Sequence, residues 1–259
     1  MEPKRASLSI EGAVAVITLT RPEKLNAIDQ PMLADLADCA RRVEGNATVR
    51  VAILTGGGNR AFSTGGDIAA WSGLDPLSFG RRWVRDGHLV LDQLARLRQP
   101  LIAVLNGHAF GGGLELAATA DLIVAEAHAT IGLPETGLGM VPGWSGTQRL
   151  VRRFGSRTVK RMSLAGDVFT ADQALDAGVV DRVAPTGEGL TAARELAARI
   201  AERGPAAVQI AKQMINAAEG EDAEAALESL AGALVATTQD LKEGVAGFRE
   251  KRAPVFQDR

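Results

Sequence analysis

The 259 residues include 46% hydrophobic and 23% charged side chains and carry a net charge of -2, an ordinary globular balance in a chain long enough to bury a core without staples. That charge excludes a general nucleic-acid binder, which needs a basic excess, and no apolar run approaches the roughly 18 residues that cross a bilayer. The single cysteine, Cys39, excludes an intrachain disulfide and fits a reducing compartment.

In chain order, residues 1–10 hold charge but no apolar stretch of the kind a secretory signal needs, so a cytoplasmic location is expected. Residues 13–19 read as a first strand. A helix follows from near Asp29, with Pro31 in the opening turn, where a missing N–H costs nothing. It runs through Leu33, Leu36 and Ala40 toward Gly45 and makes Cys39 a small core residue rather than a nucleophile. Further strands are expected at 49–55, 101–105 and 122–125, with a helix between Pro76 and Arg98. These strands are short and almost continuously apolar, the pattern of strands covered on both faces. Strand and helix alternate, as in an α/β fold. The basic run Arg149-Leu-Val-Arg-Arg153 reads as a solvated helix face. From about Leu190 the composition turns Ala-, Leu- and Glu-rich, and Pro205 and Gly220 divide it into at least three helices. The expected division is an α/β core over 1–190 and a helical region over 191–259.

Two glycine-rich corners follow predicted strands: Ala61-Phe-Ser-Thr-Gly-Gly-Asp67 and Asn106-Gly-His-Ala-Phe-Gly-Gly-Gly-Leu-Glu115. A strand, glycine turn and helix start in succession leave backbone N–H groups unpaired and pointing outward. Two such groups aimed at one point would bind a developing oxyanion; taken singly, each corner is equally a tight turn. Neither contains a phosphate-binding GxxxxGK[ST], and neither makes a convincing dinucleotide fingerprint. Glu115 falls in the first helical turn after the second corner, where it also suits the helix dipole. Glu135, in Gly132-Leu-Pro-Glu-Thr-Gly137, lies on a turn and is otherwise a solvated loop acid. Two carboxylates beside an oxyanion site could hold a water and divide acid and base duties, because like charges drive their proton affinities apart. The three histidines, His88, His108 and His128, show no metal-ligand spacing.

These segments, with Thr20-Arg-Pro-Glu-Lys-Leu-Asn-Ala27, Leu54-Thr-Gly-Gly57, Pro142-Gly-Trp-Ser-Gly-Thr-Gln-Arg-Leu150 and Glu243-Gly-Val-Ala-Gly-Phe-Arg-Glu-Lys-Arg252, resemble the enoyl-CoA hydratase/isomerase (crotonase) family almost end to end. The resemblance implies a spiral of ββα turns followed by a helical region used in trimer contacts, often paired into hexamers. It implies oxyanion donors at the N–H groups of Gly66 and Gly112, and the glutamate pair of the family's hydratases at Glu115 and Glu135. It places coenzyme A and acyl contacts at Lys24, Leu25 and Ala27, at Ser63, Thr64, Gly65, Gly66, Asp67 and Ile68, at Gly111, Gly112 and Pro134, and at Gly143 and Trp144. Phe248 and Lys251 would serve a neighbouring subunit's nucleotide. The implied reaction is addition of water to a 2-enoyl-CoA thioester, with coenzyme A part of the substrate and no metal or further cofactor.

The chain departs from the hydratase pattern at Trp144 and Ser145, where small residues are usual, and at Gly66, where many relatives carry alanine. His108, beside the glycine run, is a further candidate for touching substrate. Three other readings compete. An isomerase of the same family would shift a 3-enoyl double bond with Glu135 alone. A serine hydrolase would use Ser145 in the elbow-like Gly143-Trp-Ser-Gly-Thr147, which lacks the second glycine at its required place. A non-catalytic protein would bind coenzyme A without turnover.

Overall fold

The central strands lack polar alternation because helices cover both of their faces. A computed structural model describes residues 3–257, the side chain of Glu224 excepted. It resolves into two units, one up to Gln209 and one from Ile210 onward.

In the first unit β1 (Ala6–Glu11) and β2 (Val14–Leu19) pair antiparallel across a turn at Gly12. The first helix, α1 (Gln30–Glu44), is capped by Asp29, whose carboxylate accepts from the Met32 N–H at 3.0 Å, with Pro31 in its first turn as expected. β3 (Val51–Gly56) and β4 (Ala61–Ser63) come next. Short α2 (Ile68–Trp71) and α3 (Pro76–Ser78), a π-helical stretch at Phe79–Val84 and α4 (Arg85–Ala95) occupy the segment in which one helix was expected. Then follow β5 (Leu101–Leu105), β6 (His108–Phe110), α5 (Gly112–Ala117), β7 (Leu122–Glu126) and β8 (Thr130–Gly132). α6 (Gln148–Phe154), α7 (Ser156–Leu164), β9 (Phe169–Thr170), α8 (Ala171–Asp176), β10 (Arg182–Ala184) and α9 (Gly189–Ala201) complete it.

The larger sheet has the order β1-β2-β3-β5-β7-β10 and the smaller β4-β6-β8-β9. Three consecutive strand pairs, β3 with β4, β5 with β6 and β7 with β8, each give one strand to each sheet. This is the expected spiral. α1 and α4 contribute Leu33, Leu36, Leu91 and Leu94 to the core on one side of the large sheet. On its other side Val51, Ile53, Ile102 and Val124 pack against Ala192, Ala193 and Ala197 of α9. That packing ties α9 to the sheet, so the first unit extends past Leu190, where the composition changes.

Arg149 corrects the reading of the basic run. It is 2% exposed and donates to Asp92 at 2.7 Å, while Arg152 stays exposed. The α6 face is therefore divided, with Arg149 and Leu150 turned inward. Cys39 is buried in α1, and burial pushes its thiol up to about 11, as suits a core residue.

The second unit holds most of α10 (Pro205–Ala218), with α11 (Ala223–Val235) and α12 (Gln239–Glu250). Arg252 donates to Glu243 at 2.6 Å and folds the tail back along α12, where the Val255 N–H reaches the same carboxylate. Among the described residues, no helix is long and apolar enough to cross a membrane.

Candidate active site

Pairing in the smaller sheet brings the two glycine corners together. Ala61 of β4 lies opposite His108 of β6 and Ser63 opposite Ala109, so both chains leave the sheet side by side. At the first corner Gly65 turns with φ +90° and Gly66 bridges in parallel to Ile28. Ile28 N–H donates to the Gly65 carbonyl and Asp67 N–H donates to the Ile28 carbonyl, both at 2.7 Å. A parallel bridge uses the groups flanking Gly66, which turns the N–H of Gly66 itself the other way. At the second corner Gly111 (φ +53°) precedes α5, and Gly112, the first helical residue, has an N–H with no place in the helix ladder.

The Gly66 nitrogen is 3.4 Å from the point where a Cβ on Gly112 would stand. Both amides therefore border one small volume. A Cβ on Gly66 would come 2.8 Å from the Trp83 ring, and one on Gly112 would come 2.9 Å from the Trp144 ring. A side chain at either position would have to displace a tryptophan ring.

Two carboxylates complete the arrangement. Glu115 is 3% exposed, and its Oε1 accepts from the N–H groups of Trp144 and Gly146, each at 2.7 Å. A Cβ at residue 146 would stand 2.4 Å from that oxygen, so only glycine permits the approach. Glu135 opens a 3-10 turn, Glu135–Leu138, and its Oε1 lies 2.7 Å from the Cβ position of Gly111. Its Oε2 is buried with no hydrogen-bond partner among the described residues, which a carboxylate with only a structural role avoids. Burial raises the Glu115 carboxyl to about 7, against the two backbone donors, and the neighbouring Glu135 charge adds to the rise. Burial also raises Glu135. Two acids of this kind resist ionising together, and a pair that keeps one proton suits acid and base work near neutrality.

Both glutamates and both glycines line a single cavity of about 340 Å³. Thr64, Gly65, Ile68, Gly111, Pro134, Gly143 and Trp144 line it too. Lys24, Leu25, Ala27, Ser63 and Asp67 stand behind the first corner instead. Ser63 Oγ donates to the Asn26 carbonyl at 2.8 Å, the Leu25 carbonyl accepts from the Thr64 N–H, the Ala27 carbonyl accepts from Arg21, and Asp67 pairs with Arg21 at 2.7 Å. Lys24 is exposed. Phe248 and Lys251 belong to the second unit, where Phe248 is 86% exposed.

Two expectations are corrected. His108 does not line the cavity; its Nδ1 is 2.7 Å from the Thr130 hydroxyl and its ring stacks on Phe110. Ser145 is buried and does not line the cavity either, so the elbow-like segment presents no nucleophile to the oxyanion amides. The sequence reading missed Trp71, Trp83, Phe79 and Met140, which form much of the apolar wall. Tryptophan rarity was the available signal, since all three tryptophans of the chain line this cavity. Trp144 Nε1 donates to the Trp83 carbonyl at 3.1 Å, and the two ring centroids are 5.1 Å apart. The π-helical stretch holds Trp83 where its carbonyl meets that indole, the kind of local widening that recurs at functional sites.

A family model described as enoyl-CoA hydratase/isomerase matches residues 9–259. The chain is 37% identical over 254 residues to the short-chain-enoyl-CoA hydratase of Clostridium acetobutylicum, covering 97% of each protein. It is 36% identical over 251 residues to the crotonyl-CoA hydratase of Syntrophomonas wolfei subsp. wolfei, covering 96% of each. Among solved structures, an enoyl-CoA hydratase from Bacillus anthracis superposes with a TM-score of 0.81 at 34% identity, over 98% of this chain and 100% of that one.

Proposed function

We propose a function from one premise: the chain belongs to the enoyl-CoA hydratase/isomerase family. It is an enoyl-CoA hydratase, adding water reversibly to a 2-enoyl-CoA thioester to give a 3-hydroxyacyl-CoA. In this reading the thioester oxygen sits between the N–H groups of Gly66 and Gly112, which take up the negative charge as it develops. Each donor of this kind contributes about 3 kcal/mol to the transition state. Glu115 takes a proton from water as the water oxygen bonds to C3. The electron pair of the double bond moves toward the carbonyl, and Glu135 delivers a proton to C2. In the reverse direction Glu135 takes that proton back and Glu115 returns its own to the leaving hydroxyl. Proton transfers and the addition of water are the whole of this chemistry, so it calls for no metal and no cofactor beyond the coenzyme A of the substrate.

The observation that carries the proposal is the meeting of two raised carboxyls and two glycine amides in one cavity, with Glu135 Oε2 unpartnered among the described residues. Its test is loss of the conjugated-enoyl ultraviolet band when the protein meets 2-enoyl-CoAs of short, medium and long chain. Turnover is expected with at least one; an unchanged spectrum with all of them overturns it.

Exposed Phe248 and the apolar Leu227 and Leu234, each 70% exposed, support an assembly of three or six copies in which Phe248 and Lys251 reach a neighbour's nucleotide. A single buried thiol supports a cytoplasmic location.

A further inference from the structure

Ser145 has φ +74°, a conformation that a β-carbon disfavours and that persists only where the surroundings fix it. It stands between Trp144 and Gly146, whose N–H groups together hold Glu115 Oε1. Its hydroxyl is 2.7 Å from His88 Nδ1, and Nε2 of the same ring is 3.4 Å from Asp92 Oδ2. Asp92 Oδ1 accepts from buried Arg149 at 2.7 Å, and the Arg149 N–H donates to the Ser145 carbonyl at 2.8 Å. The four residues close a ring that begins and ends on Ser145. One imidazole thus ties the Ser145 hydroxyl on its Nδ1 side to the Asp92 carboxylate on its Nε2 side.

We infer that Ser145 and His88 are positioning residues for Glu115: their ring holds residues 144–146 in the left-handed turn that aims two backbone N–H groups at its carboxylate. Serine, histidine and aspartate are the residue types of a hydrolase triad, but here Ser145 does not line the cavity and its hydroxyl acts on backbone geometry. Without its hydroxyl contact a residue with a β-carbon relaxes out of the turn and takes one or both donors with it. Glycine needs no such contact, because it adopts positive φ unaided.

The kinetic arm of the test rests on the hydratase reading. With the full-length protein and crotonyl-CoA, Ser145→Ala and His88→Ala each lower kcat about tenfold, the scale of one misplaced hydrogen bond, with KM little changed. Ser145→Gly keeps most of the activity, and the Ser145→Ala/His88→Ala pair is no worse than either single variant. Wild-type kcat in Ser145→Ala, or losses that multiply in the pair, overturns the inference.

Amide hydrogen exchange in the peptide spanning residues 143–147 reads the same ring without turnover. It rises in Ser145→Ala and His88→Ala and stays near wild type in Ser145→Gly; equal exchange in all three overturns the inference. A wild-type protein that hydrates no 2-enoyl-CoA overturns the functional reading instead, and the exchange result then decides the ring.

Discussion

At the scale of single residues, Glu115 carries the largest electrostatic burden of the site, and that burden has a pH signature. Its carboxyl titrates near 4.5 in an unfolded chain and is raised to about 7 by burial in the folded one. Below 4.5 both states hold the proton. Between 4.5 and about 7 the unfolded carboxyl ionises while the folded one keeps its proton, so stability falls as pH rises through that window and levels off above it. Glu115→Gln lacks this slope. Denaturant unfolding should show the variant gaining on wild type by up to about 3 kcal/mol from the acid to the alkaline side. Parallel profiles for the two proteins would contradict the buried, raised carboxyl. Glu115 and Glu135 were legible in the sequence only as a pair of acids near glycine corners. Their convergence came from the resemblance, because β6 and β8, which carry them to one cavity, are three residues each and have no periodicity to read. Arg149 was misread for a related reason: a buried guanidinium is indistinguishable from a solvated one until its partner Asp92, far away in sequence, is known.

Among elements, the π-helical stretch at Phe79–Val84 and the loop at 142–147 build the aromatic wall together. Gly87 makes their contact possible, since a Cβ there would stand 2.1 Å from Trp144 Nε1. Trp144 fills space beside Gly112 that smaller side chains would leave open to the acyl chain. Trp144→Ala should therefore raise kcat/KM for octenoyl-CoA relative to crotonyl-CoA about tenfold, the discrimination that one or two methylenes carry in an apolar pocket. An unchanged ratio would place the acyl chain elsewhere. Strands β2, β3, β5 and β7 were legible because both their faces are buried and their sequences are continuously apolar. β1 was not, because it is an edge strand with mostly exposed or half-exposed side chains, and β4, β6 and β8 are too short for any pattern.

Across the whole molecule, the α/β class and the helical C-terminal part were visible in strand–helix alternation and composition, whereas the spiral came from the resemblance. The end of the first unit was not, because α9 is Ala-rich like the helices that follow it yet packs on the sheet. The spiral matters for function because each turn gives one strand to each sheet, and the smaller sheet lines up the corners that hold Gly66, Gly112 and Glu135. The proposed hydration needs those groups and Glu115 to act on one thioester, as two amides and two separate acids. The most direct measurement is the hydration rate of crotonyl-CoA by Glu115→Gln and Glu135→Gln beside wild type, with the shift of a 3-enoyl-CoA double bond followed in parallel. Hydration should fall by about a hundredfold or more in each variant, the scale of a lost general acid or base. A Glu115→Gln protein that hydrates at the wild-type rate, or that loses nothing but the double-bond shift, would contradict it.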